Sequence, residues 1–170
     1  MNKIFPSILA TFALSLPALG HADAWKYQTF EDKMTSKERN LAYLTSDNSL
    51  DLEFPYKADY NYGRLVVRGS AVRPEVYVSI TKGQILCPGY GDGCTISARF
   101  DQAPPIRFRA VGPDDYSSTA FFIRDAKRFV SLASKAKKIL VQFRMYNAGT
   151  QTLEFSPEEP LVWGSVAKKK

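Results

Sequence analysis

The chain has 170 residues, 45% hydrophobic and 24% charged, with a formal net charge of +6, two cysteines and one histidine. That histidine is His21, inside an apolar N-terminal leader. The chain beyond it has no imidazole for Ser-His-Asp or Cys-His nucleophilic catalysis, for a histidine general base, or for nearly all catalytic zinc arrangements.

Residues 1–24 have the layout of a signal peptide. Asn2-Lys3 supplies a positive start, Ile4 to Leu19 an apolar run, and Gly20-His21-Ala22-Asp23-Ala24 small residues at two cleavage points. Cutting after Ala22 leaves 148 residues and cutting after Ala24 leaves 146, the size of one domain. No cysteine sits at the cut, which argues against a lipid anchor. No second run of about 18 apolar residues follows, so no transmembrane segment is expected in the mature chain. Residues 25–165 are expected to form a single β-rich domain, with 166–170 as a basic tail.

Trp25 to Phe30 reads as a first strand and the polar run Glu31 to Asn40 as a loop or solvated turn. Leu41 to Leu44 is a further candidate strand. Leu50, Leu52 and Phe54 alternate with acids and predict another, stopped by Pro55. Lys57 to Gly63 is a polar connection. Arg64 to Arg68 follows as a strand with Leu65 and Val67 on one face.

The stretch Val76 to Asp101 holds two alternating segments, Val76–Ile80 and Ile96–Phe100, around both cysteines. After a turn at Lys82-Gly83, a further apolar run, Ile85-Leu86, reaches Cys87. The stretch reads as a hairpin whose tip, Pro88-Gly89-Tyr90-Gly91-Asp92-Gly93, is closed by a Cys87–Cys94 disulfide. The competing reading is a redox or metal pair, but the spacing is not C-x-x-C and two thiols without histidine make a poor metal site.

Farther on, Ile106, Phe108 and Ala110 alternate, Asp114 to Ser118 forms a surface loop, and Ala120 to Ile123 is a short buried strand. Phe129, Leu132, Ala133 and Ala136 recur at helical spacing, with Asp125 at the start and Lys135, Lys137 and Lys138 at the end. A second hairpin pairs Ile139–Met145 with Leu153 and Phe155 through Asn147-Ala148-Gly149-Thr150. Many short strands with one amphipathic helix predict a mainly antiparallel β-sandwich or flattened barrel.

With histidine absent and the thiols paired, carboxylates remain. Asp92, Asp101, Asp114 and Asp115 fall in or beside loops, where two of them could form a glycosidase pair; each also has a plain structural role. Asp92 alone is too few carboxylates for calcium, and Gly89, Gly91 and Gly93 lack the GK[ST] of a phosphate loop. No metal, cofactor or catalytic residue is expected.

The mature charge is 22 − 16 = +6 for the later cut and 22 − 17 = +5 for the earlier. A basic surface suits an acidic envelope partner, lipid headgroups or a cell-wall glycan, and no nucleic-acid motif is present. Tyr60, Tyr62 and Arg64 share a parity opposite Leu65 and Val67, so they face outward as a candidate binding patch. Tyr90 and Asp92, on the disulfide loop, form a second.

The order of features, Trp25-Lys26-Tyr27, Asp32-Lys33-Met34, Cys87…Cys94-Thr-Ile-Ser-Ala-Arg-Phe-Asp101 and a lysine-rich helix running into a strand, resembles small periplasmic proteins of Gram-negative bacteria. It is similar to the type VI secretion accessory family called TagO or VasI. The resemblance implies a periplasmic, non-enzymatic accessory of an envelope secretion or transfer machine, with an envelope protein as partner. A different class fits the same features: an inhibitor or immunity protein that inserts its Tyr90–Asp92 loop into a cell-wall hydrolase.

Overall fold

The computed structural model describes residues 23–164; the leader up to Ala22 and the basic tail lie outside the described residues. Nine strands form one antiparallel sheet. They are β1 (Lys26–Asp32), β2 (Lys37–Ser49), β3 (Tyr62–Gly69), β4 (Pro74–Ile80), β5 (Cys94–Phe100), β6 (Ile106–Val111), β7 (Ala120–Ile123), β8 (Ile139–Met145) and β9 (Gly149–Phe155). The one helix among the described residues, α1 (Ala126–Ala133), links β7 to β8. The spatial order is β1-β2-β3-β4-β7-β6-β5-β8-β9, and the ladder is not closed into a barrel.

Alternation sets the two faces. Ala42 and Leu44, Leu65 and Val67, Val76 and Val78, Phe121 and Ile123, Ile96 and Ala98, and Val141 and Phe143 are all buried on the inner face. The sheet curls around that face. Phe121 on β7 and Phe143 on β8 lie three strand positions apart, yet their rings meet with centroids 5.4 Å apart across the interior. Helix α1 covers part of the same face, with Phe129 edge-on to Phe100 and Phe108. Asp125 caps it by accepting from the Arg128 N–H. The three lysines expected in its last turn come after the C-cap, Ser134.

The curl brings β9 back beside β2, where side chains substitute for a missing ladder. The Asn48 amide donates to the Thr152 carbonyl at 2.9 Å and accepts from the Glu154 N–H at 2.8 Å. Gly63 on β3 makes the approach possible, because a Cβ there would collide with the Leu153 side chain. The bulge in β2 between Thr45 and Ser49 is satisfied the same way. Buried Ser46 Oγ accepts from the Gly63 N–H, and buried Asn61 clamps Lys82 through both amide atoms.

Three expectations are corrected. Val76–Ile80 and Cys94–Phe100 are strands but not a hairpin: β4 pairs with β3 and β7, β5 with β6 and β8, and the Ile85-Leu86 run with the end of β8. Parity identifies a strand's inner face, not its neighbour, and residues 81–93 carry the chain between the two halves of the sheet. Leu50, Leu52 and Phe54 are not a strand; Leu50 and Leu52 are buried plugs in an irregular segment, while Phe54 is exposed before a cis peptide bond to Pro55. Within Glu31 to Asn40 only Lys33–Ser36 is a solvated turn; the residues on either side are the ends of the β1–β2 hairpin strands. This end of the hairpin projects beyond the end of β3, exposed on both faces, so it carries no apolar alternation to betray it. Asp32 holds the turn by accepting from the Met34 and Thr35 N–H groups, and the first of these bonds is the main cause of its lowered pKa.

Candidate functional site

Cys87 and Cys94 are disulfide-bonded, and no cysteine is free. The bond closes a loop leading into β5. Just before it, Gln84 to Leu86 pairs with the end of β8, with Leu86 N–H donating to the Arg144 carbonyl and Tyr146 N–H to that of Gln84. Backbone packs directly on backbone across this region. Gly93, at φ +66°, lies where a Cβ would strike the Ala110 carbonyl, and the Gly112 N–H donates to the Pro88 carbonyl at 2.9 Å.

A second loop, Pro113 to Ser118, sits against the first. The Ile85 N–H donates to the Ser118 carbonyl at 2.7 Å, and Asp115 accepts from the Ser117 N–H. Between the two loops runs a cleft of about 360 Å³ lined by Ile85, Leu86, Pro88, Pro113 and two tyrosines. Tyr90 is 72% exposed on one wall and Tyr116 80% on the other. Leu86 is also exposed. Large, stiff, amphipathic side chains around an apolar floor are the makings of a protein-binding hot spot.

Asp92 points away from this role. Its carboxylate accepts from the Arg109 guanidinium at 2.9 Å in full exposure. Tyr60 and Tyr62 do face outward, with parallel rings stacked at 6.0 Å, and Arg64 lies 4.9 Å above the Tyr43 ring. Tyr62 and Arg64 border a separate hollow of about 410 Å³ with Thr45, Ser79 and Thr81. The five candidate binding residues therefore fall into two places.

Tyr116 and Leu86 were not singled out from the sequence. Tyr116 sits in a loop of acids and serines, and only its size and its place after Pro113 hint at a role. Leu86 reads there only as part of the short apolar run before Cys87.

The loop carboxylates are mostly engaged. Asp101 Oδ1 accepts from the N–H groups of Lys137 and Lys138, tying the end of β5 to the start of β8. Asp115 shapes its own turn. A further hollow, of about 570 Å³, is walled by Arg68, Glu75, Asp114, Asp115, Phe122 and Arg124, with Glu75 held by Arg68 at 2.7 Å. Among the described residues no group of three or more His, Cys, Asp or Glu is placed to hold a metal, and no helix is long and apolar enough to cross a membrane. Comparisons with family models, with curated proteins and with solved structures gave no match.

Proposed function

We propose that this is an exported, non-enzymatic binding protein of the bacterial periplasm, an accessory to an envelope secretion or transfer machine that grips a protein partner in the Tyr90–Tyr116 cleft. The observation that carries the reading is the pair of exposed tyrosines on two loops locked by a disulfide and by backbone-to-backbone packing. Holding such anchors rigid lowers the entropic cost of binding. The resemblance to the TagO or VasI family supports the accessory role, and the disulfide is in keeping with an oxidising compartment. Asp23 bridges to Pro157 and accepts from the Glu158 N–H, which favours cleavage after Ala22 over Ala24, since the later cut removes a residue of the fold.

The alternative, an inhibitor of a cell-wall hydrolase, draws on the exposed, braced tip at Tyr90. One experiment separates the two. Photoreactive residues at 90, 116 and 62 are crosslinked in the native periplasm and the captured proteins identified. A secretion or transfer component caught from 90 and 116 but not from 62 supports the accessory reading. A lytic enzyme caught from 90 establishes the inhibitor instead. Capture only from 62 removes the cleft from the argument.

A further inference from the structure

Seven of the ten arginines occupy outward positions on strands: Arg39, Arg64, Arg68, Arg99, Arg107, Arg109 and Arg144. Of the nine lysines among the described residues, only Lys26 and Lys37 lie in strands. Arginine offers a planar fork of donors matched to carboxylate and phosphate oxygens, which a lysine point charge does not.

Four of the seven surround one spot on β5, β6 and β8. Ser97 pairs across to Arg107 on one side and to Gln142 on the other. Arg99 is two residues along the same strand, and Arg109 and Arg144 stand two residues beyond Arg107 and Gln142 on the same face. Same-face neighbours on adjacent strands and along one strand lie about 5–8 Å apart, within reach of one extended ligand. Among the described residues no carboxylate pairs with Arg99, Arg107 or Arg144, and the Arg99 Nε is buried without a hydrogen-bond partner. Of the acids beside the patch, Glu154 is held by Lys138, and Asp92 pairs with Arg109 itself, which leaves Arg99, Arg107 and Arg144 for a ligand.

We infer that this face binds an extended anionic polysaccharide, with the arginines on its acid groups and the side chains of Thr95, Ser97, Gln142, Thr150 and Thr152 on its hydroxyls. Charge complementarity selects an anion. The exposed apolar groups near this face, Leu86 and Tyr146, lie at its Arg144 end, and its centre around Ser97 is polar, which disfavours a protein hot spot or insertion into a bilayer, both of which need an apolar centre. The inference rests on other side chains than the tyrosines of the Tyr90–Tyr116 cleft, and Leu86 borders both places.

The test uses the mature protein purified from the periplasm, with polygalacturonate as ligand and neutral dextran and phosphatidylglycerol vesicles as comparisons. The triple variant Arg99→Gln/Arg107→Gln/Arg144→Gln is expected to lose about tenfold or more in affinity for polygalacturonate, with the slope of log Kd against log salt falling by about one per arginine. A charge-matched variant, Lys127→Gln/Lys135→Gln/Lys137→Gln, is expected to stay within about twofold. Equal losses in both variants, no preference of the native protein for polygalacturonate over dextran, or tighter binding to the vesicles than to the polymer would each overturn the proposal. Should the triple variant lose its native near-ultraviolet signal, Arg107→Gln alone, at a fully outward position, carries the comparison.

Discussion

The outer face of the sheet divides into two halves that use the same residue for different ends. On β2, β3, β4 and β7, arginines lie over rings: Arg64 over Tyr43, and Arg68 over both Tyr77 and Phe122 at 5.3 and 5.5 Å. Beneath them Val66 is buried although it faces away from the main core, so this half carries a thin second layer of apolar packing. On β5, β6 and β8 the arginines stand among hydroxyls and amides with no rings between them. An arginine over an aromatic ring contributes to stability through its stem and its charge. An arginine in open solvent contributes little to stability and remains available to a ligand.

The largest expected effect falls on the junction between the halves. Cys87→Ser/Cys94→Ser removes a cross-link over eight residues, a loss of about 2.5 kcal/mol by loop entropy, read by urea unfolding. Hydrogen exchange should quicken first in residues 84–93, beside the open-arginine half. Uniform quickening in β2 and β3 as well would mean that the staple serves the whole sheet.

Asn48→Ala removes the side-chain bridge between β2 and β9 and strands the Glu154 N–H and the Thr152 carbonyl. A cost of about 2 kcal/mol is expected, and Asn48→Asp, which keeps the acceptor but not the donor, should lose less. Equal stability for Asn48→Ala and the native protein would show that the halves hold together without the bridge.

The comparison itself is sharpened by Arg68→Ala against Arg107→Ala. The first uncovers Tyr77 and Phe122 and should cost about 1 kcal/mol, while the second should stay within about 0.5 kcal/mol. Equal costs would erase the distinction between the two halves.

The smallest effect concerns the hairpin arm that extends the ring-covered half. The bond from the Met34 N–H is the chief influence holding the Asp32 carboxyl below its ordinary pKa, aided by Thr35 and Arg39. A lowered folded pKa adds stability that is fully present above the unfolded value and is lost as pH falls through the folded one. Amide exchange at Met34 and Thr35 should therefore rise in acid below about pH 4, while the ring-covered arginines keep the rest of that half unchanged. Asp32→Asn should remove most of that dependence.

Sequence pattern revealed the strands that have one wet and one dry face, and β3, β4, β5, β6, β8 and β9 were legible for that reason. The disulfide was legible from composition and loop chemistry. Pairing was not, because Val76–Ile80 and Cys94–Phe100 carry the same alternation whether or not they are neighbours. The β1–β2 arm was hidden by polarity on both faces, and the Leu50–Leu52 plug imitated a strand because two buried residues in an irregular segment happened to fall two apart. Of the binding residues, Tyr90 was legible from its loop. Tyr116 was not, since its partner across the cleft is some 26 positions away and only the fold places them together.

The first described residues are fastened by some of the last. Asp23 bridges to Pro157, the Val162 N–H donates to the Tyr27 hydroxyl, and Asn48 reaches residues more than a hundred positions downstream. Such a high-contact-order arrangement cannot be completed during synthesis of the N-terminal half. For a chain exported from its N-terminus, as proposed above, the edge strands could then lock only after the last strands have crossed.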